Sequence, residues 1–140
     1  MIAFVSASYA HRSRLAPALA AIRSALSAAG WTPRIFIEDY QFAPDDQRAM
    51  MAATQAELRA CRLLVAEVTH KAIGVGIEVG YAAALGVPIV AVRHADAEPS
   101  TTVGGLAART VVYRTPGDLE RDLAQAVRDL FGEQRRGVSE

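Results

Sequence analysis

A chain of 140 residues, 51% apolar and 21% charged, is enough for one compact domain with a substantial core. Its fifteen Lys/Arg balance fifteen Asp/Glu, which excludes a global field that would steer it to a nucleic-acid polymer or a membrane surface. The single cysteine, Cys61, excludes an intrachain disulfide and fits a reducing cytoplasm; no apolar run approaches the roughly 18 residues of a membrane span, and Met1–Val5 is too short for a secretory signal core.

In chain order, Ile2–Ser6 reads as the first strand. Leu15, Leu19, Ile22, Leu26 and Ala29 recur at helical spacing, so a helix starts near Ser13 or Arg14, with Pro17 in its first turn and Gly30 as its C′ residue. Arg34–Ile37 is the second strand, followed by a polar stretch, Glu38–Pro44, with two aromatics, Tyr40 and Phe42. Asp45–Ala60 is a second helix with an acidic start. Leu63–Val68 is a third, apolar strand, and Gly74–Leu85 a helix closed by Gly86. Ile89–Val92 and Val111–Tyr113 are the last strands. Thr115-Pro-Gly-Asp118 opens the final helix with Thr as N-cap and Pro at N1; Leu119, Leu123, Val127 and Leu130 form its buried face. The domain is expected over 1–133, with 134–140 a frayed tail.

Apolar strands alternating with helices imply an α/β fold: one doubly wound, Rossmann-like or flavodoxin-like parallel sheet of five strands, order 2-1-3-4-5, with helices on both faces. The switch point then falls between strands one and three, so the loops Ser6–Arg14 and Thr69–Glu78 should build the site. Gly74-Val-Gly76 does not complete a dinucleotide fingerprint. The third glycine position holds Val79, Gly80 comes one residue late, and the motif follows the third strand rather than the first. The glycines can equally serve close helix–sheet packing. No aromatic sandwich for a flavin is evident. Histidines 11, 70 and 94 lack metal-ligand spacing. Neither a metal nor a cofactor is expected.

Glu78 is the carboxylate of interest: placed in the first turn of its helix, its charged form would be favoured by the helix dipole. It is either a nucleophile or a bland helix-capping acid. Ser6 and Ser8 end the first strand, where hydroxyls serve a sugar oxygen, a phosphate or simple turn chemistry. His11 and Arg12 add positive charge nearby. Cys61 reads as a buried structural thiol.

Val65-Ala-Glu-Val-Thr69, Gly74-Val-Gly-Ile-Glu-Val-Gly-Tyr-Ala82 and Val87-Pro-Ile-Val90 resemble the nucleoside 2-deoxyribosyltransferase family, which includes 2′-deoxynucleoside 5′-phosphate N-hydrolases. The likeness runs from Phe4 to about Val112. It implies that Glu78 attacks C1′ of a (deoxy)ribosyl group, displaces the base and leaves a glycosyl ester, which a second base or water resolves. The alternative is a nucleotide-binding module that keeps the pocket without turnover. The family's usual aspartate before the third strand aligns with Thr54, which leaves Glu57 one turn later, or Asp39, as proton donor. The usual serine before the first glycine is Ala72, with Lys71 beside it as an anion contact. The tyrosine that the hydrolases favour on the first strand is Phe4. Ser6, Ser8, Gly74 and Gly76 would line the sugar or phosphate site, and Tyr40 or Phe42 would stack on the base. Glu98–Val103 matches a segment that reaches a neighbouring subunit's site, through the hydroxyls of Ser100, Thr101 and Thr102. The implied partners are a small nucleoside or nucleotide and a second copy of the chain, as a homodimer or larger homo-oligomer.

Overall fold

The computed structural model describes residues 1–139, and beyond Gly132 only the backbone and Gly137. Five parallel strands form one sheet in the order β2-β1-β3-β4-β5, with β1 Ile2–Ser6, β2 Thr32–Ile35, β3 Leu63–Glu67, β4 Ile89–His94 and β5 Arg109–Tyr113. Register sets Ser6 beside Ala66, Glu67 beside Val92 and His94 beside Tyr113. The last residues of four strands therefore share one edge, the edge at which such sheets hold ligands.

Alternation along the strands sends side chains to two cores. Ala3, Val5, Leu63, Val65, Val90, Val92 and Val111 pack under helices α1 (Arg12–Ala28) and α6 (Pro116–Ser139). Phe4, Leu64, Ala66, Ile89 and Ala91 face the opposite layer, formed by α3 (Gln47–Ala60), α4 (Ile73–Ala84) and α5 (Thr101–Leu106). Both faces of the sheet are covered, which is why its strands read as continuous apolar runs. Leu19, Ile22, Leu26, Leu119, Leu123 and Val127 are essentially inaccessible, each worth about 1.5–3 kcal/mol of transfer free energy.

The structure departs from the sequence reading locally. β2 ends at Ile35, and Phe36–Asp39 forms a short helix, α2, where Arg34–Ile37 was expected to stay extended. The Asp39 carboxylate accepts from Ile35 N–H at 2.9 Å, holding that turn closed. Helix α1 begins at Arg12 behind a 3-10 turn (Tyr9–His11), so Pro17 lies in its second turn rather than its first. It sits on the exposed face, where the carbonyl it leaves unpaired can be hydrated. Helix α5 was not anticipated as an element; its signal is Ser100, whose hydroxyl accepts from Val103 N–H at 3.3 Å as an N-cap. Gly30 and Gly86 do close their helices, with φ of +86° and +75°. Thr115 and Asp118 cap α6 reciprocally, each side chain accepting from the other's backbone N–H (3.1 and 3.3 Å). The backbone of α6 is helical through Ser139, across residues expected to form the tail; Glu140 lies outside the described residues.

Among the described residues no helix is long and apolar enough to cross a membrane. Nor do the described His, Cys, Asp and Glu side chains form a group of three or more able to hold a metal.

Candidate active site

Glu78 projects from α4 at the strand edge, on the α3/α4 layer. Its Oε1 accepts from the Ser6 hydroxyl at 3.2 Å, and its Oε2 is buried with no hydrogen-bond partner among the described residues. Burial raises the carboxyl to about 7 from its usual 4.5, and the Ser6 bond opposes that rise. The dipole argument does not hold: α4 begins at Ile73, which puts Glu78 in the second turn, and the first turn carries no acid. Desolvation, not a helix end, governs this carboxylate. It titrates near neutrality, where it can act as base, acid or nucleophile.

Ser6 and Ser8 are both almost wholly buried. Ser8 Oγ lies 2.9 Å from His11 Nδ1, and the His11 ring stacks on His70 with centroids 3.8 Å apart and planes 2° from parallel. The β1 and β3 loops therefore touch. Burial and the neighbouring His11 push the His70 imidazole below its usual range.

Gly74 and Gly76 do not owe their identity to helix–sheet packing. A Cβ at Gly76 would meet nothing within 4 Å, and one at Gly74 would first meet Glu78 Oε1 at 4.0 Å. Space at Gly74 is space beside the carboxylate.

The candidate acids lie elsewhere. The Glu57 Oε1 accepts from the Tyr40 hydroxyl, and its Oε2 is 3.5 Å from Arg34 Nε. Bonding to Glu57 raises the Tyr40 phenol. Thr54 is buried, its hydroxyl donating to the Met50 carbonyl at 2.9 Å. Asp39 is tied to Arg23 of α1 at 3.0 Å and to Ile35 N–H, so its bonds lead to the opposite layer from Glu78. Tyr40 and Phe42 stack with Phe36, which in turn stacks on Phe4, so these rings form a packed cluster. Lys71 is exposed and pairs loosely with Glu98 at 3.7 Å. Thr101 and Thr102 are exposed at the start of α5.

Glu67, Thr69 and Tyr113 were given no individual role in the sequence reading. Glu67 is 0% exposed. It accepts from Thr69 N–H and from the Tyr113 hydroxyl, each at 2.6 Å. Burial and that carboxylate push the Tyr113 phenol far above its usual value. The available signal was a lone carboxylate inside the apolar run Leu63–Val68. Beyond it, on the α1/α6 layer, lies a cleft of about 470 Å³ whose lining includes Arg14, His70, His94 and Arg114. Glu78 does not line it. Among the described residues two carboxylate oxygens are buried without a hydrogen bond, Glu57 Oε2 and Glu78 Oε2; the first still has Arg34 Nε 3.5 Å away, and the second has no ion-pair partner. We therefore place the chemistry at Glu78 rather than in the cleft.

A family model described as nucleoside 2-deoxyribosyltransferase matches residues 3–128. No curated protein matches the sequence significantly. Among solved structures, the Clostridium botulinum CMP N-glycosidase BcmB superposes with a TM-score of 0.66 at 16% identity, covering 88% of this chain and 98% of that one. The 2-deoxyribosyltransferase of Bacillus psychrosaccharolyticus gives 0.67 at 12% identity, covering 86% and 90%. A 3-dehydroquinate dehydratase-like protein from Bifidobacterium longum gives 0.53 at 15%, covering 93% and 96%. At these identities the likeness is one of fold.

Proposed function

This chain belongs to the nucleoside 2-deoxyribosyltransferase family, and we propose that it cleaves the N-glycosidic bond of a (deoxy)nucleoside or (deoxy)nucleotide through a glycosyl-Glu78 intermediate. The observation that carries this reading is the buried, half-satisfied Glu78 carboxylate at the strand edge. A Glu78 oxygen attacks C1′; the C1′–N bond breaks, its electron pair leaves with the base, and the base takes up a proton. The oxocarbenium-like transition state places positive charge against the carboxylate, in a site dry enough for that attraction to count. A second base or a water molecule then attacks C1′, loses its proton and releases the carboxylate. No cofactor enters this balance.

Ser6 orients the nucleophile, Gly74 and Gly76 leave open surface for the sugar or a phosphate, and the buried Ser8 reaches the substrate only by giving up its bond to His11. Lys71 is a candidate contact for an anionic substrate. Of the two acids, Glu57 shares the α3/α4 layer with Glu78 and is the candidate proton donor once Tyr40 releases it; the bonds of Asp39 favour a structural role. Assembly as a homodimer or larger homo-oligomer is part of the same reading. Helix α4 presents Ile73 (85% exposed) and Ile77 (52% exposed) beside open glycines, and Thr101 and Thr102 stand free to reach a neighbour's site.

The engagement of both Glu57 and Asp39 favours a second reading, a nucleotide-binding module without turnover. Incubation with a panel of deoxynucleosides and deoxynucleotides, with and without an acceptor base, separates the two. Release of free base, abolished in Glu78→Ala, is the expected result; new nucleoside formed with the acceptor marks transfer, and its absence marks hydrolysis. Tight binding with no base released by a folded sample overturns the enzyme in favour of the module.

A further inference from the structure

Glu67 is the one fully inaccessible charged side chain among the described residues. Among the described residues no arginine or lysine pairs with it, and its oxygens are met only by Thr69 N–H and the Tyr113 hydroxyl. An ionised carboxylate so placed costs several kcal/mol in desolvation, and an apolar side chain of similar volume would serve the core better. The fold alone does not ask for it.

Its two bonds link β5 to the connection that presents Glu78. Thr69 is gripped twice: its N–H by Glu67, and its hydroxyl oxygen by His94 N–H at 2.9 Å. The Tyr113 hydroxyl ties the same carboxylate to β5. Val68 N–H bonds the Val92 carbonyl at 2.9 Å. The ends of β3, β4 and β5 thus clamp the first residues of the β3–α4 connection, and α4 begins at Ile73. The Glu78 carboxylate itself has one tether among the described residues, the 3.2 Å bond from Ser6.

We propose that Glu67 is a positioning residue for Glu78: held between Thr69 N–H and the Tyr113 hydroxyl, it fixes the β3–α4 connection and so the seat of Glu78 against Ser6. The inference rests on the reading that Glu78 attacks C1′. Attack needs reacting atoms roughly 3–3.5 Å apart, so a small slip of α4 is expensive.

Two substitutions separate grip from charge. Glu67→Gln keeps both bonds, because the amide oxygen still accepts from Thr69 N–H and the amide nitrogen donates to a rotated Tyr113 hydroxyl. Glu67→Leu fills the space and removes the grip. Steady-state base release, the thermal midpoint and the Glu78 titration, followed by carboxyl 13C NMR, are measured on each. Glu67→Gln is expected to keep kcat within about threefold. Glu67→Leu is expected to lower kcat about 10- to 100-fold with little change in KM. It should also move the Glu78 titration upward as the Ser6 bond loosens. Should Glu67→Leu fail to fold, Tyr113→Phe removes one hydroxyl and should move the same readings in the same direction by a smaller step. A folded Glu67→Leu or Tyr113→Phe with wild-type kcat and Glu78 titration overturns the proposal, as does a Glu67→Gln that loses as much as Glu67→Leu. If the wild type releases no base, the proposed function fails, while the Glu78 titration still decides whether Glu67 seats that residue.

Discussion

Two glutamates lie at the same edge of one sheet, on opposite layers, and they are treated in opposite ways. Glu67, on the α1/α6 side, has both oxygens bonded at 2.6 Å and no exposure. Glu78, on the α3/α4 side, has one longer bond to Ser6 and one buried oxygen with no partner. A carboxylate with a bond on each oxygen and no exposure offers nothing to a substrate; it can only hold structure in place. A carboxylate stripped of water and given half its bonds is poised to gain from any positive charge that develops beside it. What separates the two is partnership and exposure, not residue type: Glu67 is fully inaccessible with both oxygens bonded, whereas Glu78 is partly exposed with one buried oxygen unpartnered.

The contrast is broken most sharply by removing the charge of Glu78. Its folded value, about 7, lies above the 4.5 of an unperturbed glutamate. The sign follows: the favourable contribution of the protonated group is complete below about 4.5 and is lost as pH rises through 7, where folding must bury an anion. Glu78→Gln should therefore match the wild type in stability near pH 4, gain on it between 4.5 and 7, and level off above. The gain, allowing for partial exposure of the carboxylate, is on the order of 2–3 kcal/mol. Urea unfolding at several pH values reads it. A flat difference across that range would mean that Glu78 is solvated after all, and the contrast with Glu67 would vanish.

Much of this was legible in the chain. The sheet order, the two apolar helix faces at Leu15–Leu26 and Leu119–Leu130, and the capped start at Thr115 follow from periodicity and turn chemistry, because each is decided within a few neighbouring residues. Glu78 was legible as a residue but not in its physics: a first-turn carboxylate was expected to be favoured as an anion, and burial by neighbours distant in sequence reverses that. Glu57 and Asp39 were chosen for charge and position. Nothing local to them announces that Tyr40, Arg34 and Arg23 would take their oxygens. Glu67 shows the same limit from the other side, since its partner Tyr113 is 46 residues away. Pairings across a sheet carry no periodic signature.

A middle-sized effect tests the one bond that Glu78 does have. The Ser6 hydroxyl favours the charged form, so Ser6→Ala should raise the Glu78 carboxyl further. A lost bond to a charged group of about 1 kcal/mol corresponds to most of one pH unit. If the ionised carboxylate is the nucleophile, the rising limb of base release moves to higher pH by that amount. The rate at pH 7 falls several-fold, while the plateau at high pH is largely kept. A loss that is uniform across pH would instead make Ser6 a substrate contact.

The smallest effect is expected where burial is absent. Lys71 Nζ is 3.7 Å from Glu98, with both side chains almost fully exposed, so the pair is worth less than about 1 kcal/mol and Lys71→Ala should leave the unfolding midpoint nearly unchanged. Any role it has must be electrostatic and reach through water. If it meets an anionic substrate, the substitution raises KM a few-fold for a deoxynucleotide but not for the matching deoxynucleoside, and salt near 0.5 M erases the difference because exposed charges are screened within a few ångströms there. Glu78→Gln behaves oppositely under salt, since a dry carboxylate is shielded far less. Running the two variants against salt in the same assay therefore separates a contact made at the rim from chemistry done beneath it, and equal salt sensitivity would place both groups in water.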